Sequence, residues 1–168
     1  PMQLPPALRQ RIGYLSEQSG ARELPNLPIG ELLEYQSHFF ATWDVDWCQR
    51  LIERMGVVEG RPLHAMSEGE RRKAELLVAM AQRPELLILD DPMLGRDARA
   101  RREMLWATLD MVRDEGTTIL FTSHILQDVE RMVDHVLILD RGSVLMAGPL
   151  DNLLAQTKRL VFPDAGTE

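Results

Sequence analysis

The segment Leu86-Leu87-Ile88-Leu89-Asp90-Asp91-Pro92 constrains the fold more than any other part of the chain. An unbroken apolar run has no polar face, so it suits a strand buried on both sides, as in a parallel sheet. It stops at two carboxylates and a proline, which places both acids at the C-terminal edge of that sheet. Ligands bind along this edge in open α/β folds. The first acid can hold Mg²⁺ through water, and the second can orient or deprotonate an attacking water. Two acids can equally close a strand and start a turn, and the pair alone does not choose between these roles.

The surrounding pattern supplies the rest of an α/β fold with a parallel sheet. Residues 11–15 read as the end of a strand, and 16–28 as a polar loop rich in Gly, Pro and Asn. A helix is expected over 29–41. Asp44 is placed to cap the next one, in which Trp47, Leu51 and Met55 recur at helical spacing beside Cys48 and Ile52, and Gly56 ends it. Residues 67–82 open with the Ser67-x-x-Glu70 capping pattern and carry Leu76, Leu77 and Met80 on one side. Downstream, the expectation is a helix over 97–113, a second buried strand over 117–121, a short helix over 125–132 and a strand over 135–139. The turn Arg141-Gly142-Ser143 then leads into a returning strand, and a last helix covers 150–156. Residues 1–10 read as a loose lead-in and 161–168 as a tail.

Two further segments carry chemistry. Met66-Ser67-Glu68-Gly69-Glu70 sets a serine and a glycine at a helix N-terminus, where backbone N–H groups and the helix dipole favour an anion. An ordinary capping box accounts for the same residues. Phe121-Thr122-Ser123-His124 ends the strand after the acidic one, so His124 can reach the same sheet edge. A surface histidine also fits.

The order and spacing of these segments resemble the ATP-binding-cassette (ABC) ATPase family over about residues 11–155. Residues 66–70 resemble its signature motif, usually Leu-Ser-Gly-Gly-Gln. Residues 86–90 resemble the Walker B strand, and Asp91 falls where the family has its catalytic glutamate. Residues 93–97 resemble the D-loop, with Asp97 on its aspartate, and His124 falls on the switch histidine. Residues 12–17 look like the strand entering the Q-loop, with Glu17 at the glutamine position, and 140–148 look like the closing hairpin. The resemblance implies a P-loop NTPase-like parallel sheet within residues 11–160. The Q-loop, helical subdomain and signature helix would lie in 17–83, and Walker B to the last helix in 84–160. The stretch from Thr42 to Asp44 and the overall spacing look most like bacterial single-domain export-type subunits.

The resemblance also implies roles. ATP and Mg²⁺ would be the cofactors. Asp91 and His124 would be catalytic, Asp90 would hold Mg²⁺ through water, and Glu17 would reach both metal and nucleotide. Ser67 and Gly69 would contact the ATP of a second ABC domain in a head-to-tail dimer, with Asp97 also at the nucleotide. A transmembrane subunit would be the partner that hydrolysis drives. The chain would then sit in the cytoplasm, at the inner face of the membrane.

Several residues depart from the family pattern. No Gly-Lys pair occurs in the 168 residues, so the phosphate-cradling G-x-x-x-x-G-K-[ST] loop is not among them. The expectation is that this chain alone neither binds ATP tightly nor hydrolyses it. Aspartate at position 91 draws the carboxylate back by roughly 1.5 Å relative to glutamate, and misplacement by about 1 Å can cost on the order of a hundredfold in rate. Glu68 adds a Cβ and a negative charge where the family has glycine. An incomplete sheet would expose apolar surface and favour self-association.

Composition bears on what remains. A net charge of −7 gives no electrostatic case for nucleic acid as the main partner. A single cysteine, Cys48, precludes an internal disulfide. No apolar run approaches the roughly 20 residues that span a bilayer. Two alternatives stand beside the transporter subunit: a non-catalytic protein that docks on intact ABC ATPases through the signature face, and a soluble ABC protein of repair or translation. The second usually carries coiled-coil insertions or basic stretches, which are not seen here.

Overall fold

A computed structural model describes residues 5–16, 27–40, 43–92, 106, 108–124, 130 and 133–156. The chain divides into two compact units, 1–124 and 125–168.

In the first unit, strands β1 (Ile12–Leu15), β2 (Leu86–Leu89) and β3 (Thr118–Phe121) form a parallel sheet in that order. The lead-in is not structureless, since Pro6–Arg9 forms one helical turn, α1, with prolines at its start where the missing N–H costs nothing. Helices α2 (Ile29–Ser37), α3 (Val45–Met55) and α4 (Glu68–Ala81) follow β1. Residues 108–114 are helical as well, while most of the expected 97–113 helix lies outside the described residues.

The local signals act as the sequence suggests. Asp44 caps α3 by accepting from the Trp47 amide at 2.8 Å, and Gly56 ends it in the left-handed conformation. The buried face of α3 is Trp47, Cys48, Leu51, Ile52 and Met55. Trp47 donates its indole N–H to the Met80 carbonyl at 3.0 Å, which locks α3 against α4. Gly13 lies so close to α4 that a Cβ there would strike the Ala79 carbonyl oxygen.

One expectation about the sheet changes. The register rows Tyr14–Ile88–Leu120 and Leu15–Leu89–Phe121 lie on opposite faces, because side chains alternate along a strand. Leu15, Leu87 and Leu89 are buried. Tyr14 and Leu120, on the other face, are 60% and 56% exposed. β2 is therefore fully buried on one face and half-buried on the other, and β3 is not the buried strand its apolar sequence predicts. Apolar character records a capacity for burial, and whether a covering layer is present is a tertiary fact.

In the second unit, β4 (His135–Asp140) and β5 (Ser143–Pro149) form an antiparallel hairpin around the expected turn, followed by α5 (Leu150–Gln156). Arg141 and Gly142 both have positive φ, as a tight hairpin turn requires.

Candidate functional site

The acidic pair lies where the strand pattern puts it, at the C-terminal end of β2. The Asp90 amide donates to the Leu15 carbonyl at 2.8 Å, so this acid still belongs to the sheet. Asp91 does not. Its φ is +40°, a left-handed conformation uncommon for a residue with a Cβ. Such geometry persists where surrounding contacts impose it.

Those contacts come from two directions. From β3, the Thr122 hydroxyl donates to Asp90 Oδ1 at 2.7 Å and accepts from the Asp91 amide at 3.0 Å. From α4, Arg72 donates Nη2 to the Asp90 and Asp91 carbonyls, at 3.3 and 3.4 Å. Its Nη1 donates to the Ser16 carbonyl at 2.6 Å and to Glu75 at 3.3 Å. Burial pushes the Glu75 carboxyl up, and Arg72 opposes that shift.

His124 meets the second acid. Its Nδ1 is 3.0 Å from Asp91 Oδ2, and the imidazole is largely exposed while the Asp91 side chain is mostly covered. Asp91 Oδ1 is buried and has no hydrogen-bond partner among the described residues. A buried carboxylate oxygen left this way is costly unless water, a cation or a substrate proton satisfies it. The arrangement engages one carboxylate oxygen with His124 and leaves the other without a partner among the described residues.

Ser67 stands at the N-terminus of α4 with a complete capping box. Glu70 Oε2 accepts from both the Ser67 amide, at 2.8 Å, and the Ser67 hydroxyl, at 2.7 Å. The other Glu70 oxygen takes Arg61 at 2.7 Å. The hydrogen bonds from Ser67 hold the Glu70 carboxyl below its ordinary range, with Arg61 adding to the effect. The serine hydroxyl is thus engaged within its own helix. Gly69 is the second residue of that helix.

The structure brings Asp90, Asp91 and His124 together and links them to the helix of Ser67 through Arg72. Glu17 and Asp97 lie outside the described residues. Thr122 and Arg72 were not singled out in the sequence. Position 122, two residues before the histidine at a strand end, was the available signal for Thr122. An arginine in a polar helical turn gives none.

The family model described as ABC transporter matches residues 3–94. This chain belongs to the ABC transporter family. Among relatives of this ABC chain is the ABC transporter ATP-binding protein YtrB of Bacillus subtilis. It is 30% identical over 148 residues, covering 88% of this chain and 50% of the relative. The nickel import ATP-binding protein NikO of Rhodobacter capsulatus is 38% identical, over 63% of this chain and 42% of its own length. The daunorubicin resistance ATP-binding protein DrrA3 of Streptomyces coeruleorubidus is 32% identical, over 90% and 48%. A solved ATP-binding subunit of an ABC transporter superposes with a TM-score of 0.77 at 25% identity, covering 90% of this chain and 64% of that one. The chain spans about half the length of these curated relatives. One of these names specifies nickel import and another daunorubicin resistance. No helix among the described residues is long and apolar enough to cross a membrane.

Proposed function

We propose that this ABC chain forms the signature-bearing and acid-bearing part of an ATP-binding subunit that powers a transporter. The observation that carries the reading is the Asp90–Asp91 turn at the edge of a parallel sheet, with His124 fixed on Asp91 and one Asp91 oxygen without a partner among the described residues. Asp91 Oδ1 is the atom suited to take a proton from an attacking water, and His124 keeps the carboxylate from rotating away. Asp90, steadied by Thr122, is suited to a cation's water shell. The cation Asp90 would hold through water is Mg²⁺, which when bound would neutralise charge on phosphate oxygens. Ser67 and Gly69 would meet the nucleotide of a second ATPase domain, and a transmembrane subunit would receive the motion. The subunit would work at the cytoplasmic face of a membrane.

The test is calorimetric titration of Mg-ATP into the chain, paired with phosphate release. With no Gly-Lys pair in the 168 residues, the chain by itself is expected to show no tight binding and no turnover. An intact ATPase domain supplied in trans is expected to restore nucleotide-dependent association, which Ser67→Arg abolishes. Phosphate release by the isolated chain that disappears in Asp91→Ala would overturn the expectation for the chain alone. Absence of nucleotide-dependent association would overturn the assignment.

A further inference from the structure

We infer that Arg72 is a positioning residue that couples the signature end of α4 to the paired acids. The inference rests on the reading that Ser67 and the Asp90–Asp91 turn serve two different nucleotides. It goes beyond that reading by naming the link between them.

Arg72 is 8% exposed and lies one helical turn past the Ser67 capping box. A buried guanidinium needs acceptors for its donors, and here four come from three separate places. They are the carbonyl just after β1 (Ser16), the two carbonyls that follow β2 (Asp90 and Asp91) and Glu75 on its own helix. Only a planar, five-donor fork can hold these at once. A lysine presents its three donors from a single point.

The consequence is mechanical. The first turn of α4 is fastened by Ser67 and Glu70, so a force on Ser67 moves the helix as a unit. Arg72 passes that movement to the backbone of the acids. The acid turn cannot relax freely, because Thr122 holds the Asp91 amide and the Asp90 carboxylate from the opposite side. Asp91 is thereby kept at positive φ between two anchors, one of which belongs to the signature helix. Occupation of Ser67 by one nucleotide would change the placement of Asp91 at the other. The same guanidinium holds the Ser16 carbonyl, so the end of β1 is drawn into the same link.

Residue-resolved hydrogen exchange and amide chemical shifts of the isotope-labelled chain test this without any nucleotide. Arg72→Lys is expected to speed exchange at the Asp90 and Asp91 amides by about tenfold or more, and to leave the amides of α3 unchanged. Unchanged acids, or a uniform acceleration along the chain, would overturn the inference and leave Arg72 a packing residue. Thr122→Val, which keeps the shape, should free the Asp91 amide, and Thr122→Ser should restore it. Ser67→Ala in the otherwise native chain should shift the Asp90 and Asp91 amide signals. No shift there would overturn the coupling even if Arg72→Lys proved unable to fold. The same Ser67→Ala effect persisting in Arg72→Lys would show that another path carries it. Failure to bind ATP would touch only the functional assignment, because none of these signals needs ATP.

Discussion

His124 Nδ1 stands 3.0 Å from Asp91 Oδ2, and that aspartate sits at a φ of +40°. The contact joins an exposed ring on the end of β3 to a strained residue after β2. A left-handed non-glycine residue costs about 1–3 kcal/mol and persists where its surroundings impose it. The strain and the His124 contact therefore belong to one arrangement, in which the Asp91 backbone is held where its carboxylate meets the imidazole.

Asp91→Gly separates the two. Glycine accepts positive φ without strain, so the variant is expected to unfold at higher urea, with a gain of about 1 kcal/mol less whatever the His124 contact contributes. Any nucleotide turnover by an assembly containing the chain should fall sharply. Urea midpoints and phosphate release check the pair of outcomes. A loss of stability would show that the His124 contact outweighs the strain at Asp91.

Acid should weaken the fold through three named carboxylates. The Trp47 amide holds Asp44 below its ordinary range, the Ser67 hydrogen bonds hold Glu70 down, and Arg11 does so for Glu85. A lowered folded pKa means stabilisation that is complete above the ordinary carboxylate range, near about 4, and is lost as pH falls through the lower folded values. Glu75 acts with the opposite sign. Burial raises its pKa, so its charged form costs stability at neutral pH, and that cost is relieved as pH falls through the raised value. The three lowered groups outnumber it, and unfolding midpoints should fall between about pH 5 and pH 3. Asp44→Asn, which keeps the cap but cannot titrate, should flatten that dependence.

Cys48 should resist alkylation. Its thiol is buried on α3 against the Ala81 carbonyl, and burial pushes its pKa up to about 11. Thiolate is therefore scarce at pH 8, and the reagent must wait for the helix to open. Iodoacetamide should label the native chain slowly and the urea-unfolded chain at the rate of a free thiol. Fast labelling of the folded chain would contradict the α3–α4 packing.

The open sheet face should make the chain associate. Tyr14 and Leu120 lie in one register row, across Ile88, and both are more than half exposed. A row of apolar side chains in water favours any arrangement that covers it. Solution scattering should show mass above the monomer, decreasing in Leu120→Lys. A concentration-independent monomer would mean that the face is covered in another way.

The elements whose causes are local were legible in the sequence. The Asp44 cap, the Gly56 stop and the Ser67–Glu70 box each act over a few residues, and each forms as expected. The apolar run before Asp90 placed the acids at a sheet edge because a buried strand ends where its sequence turns from apolar to charged. The resemblance of the motifs added His124, which the structure sets on Asp91. β3 is less buried than its apolar sequence predicts, because composition does not say what packs against a strand.

What the sequence alone determined, then, is the set of elements and the residues at their ends, since capping, periodicity and strand termination are decided between near neighbours. Only the tertiary structure decided which distant groups hold the acids. Thr122 reaches Asp90 across 32 positions, and Arg72 reaches Ser16 across 56. Contacts of that span leave no local pattern. They arise when parallel strands bring their C-terminal ends to one edge, and when a helix packed behind that edge supplies a buried charge that must find acceptors there.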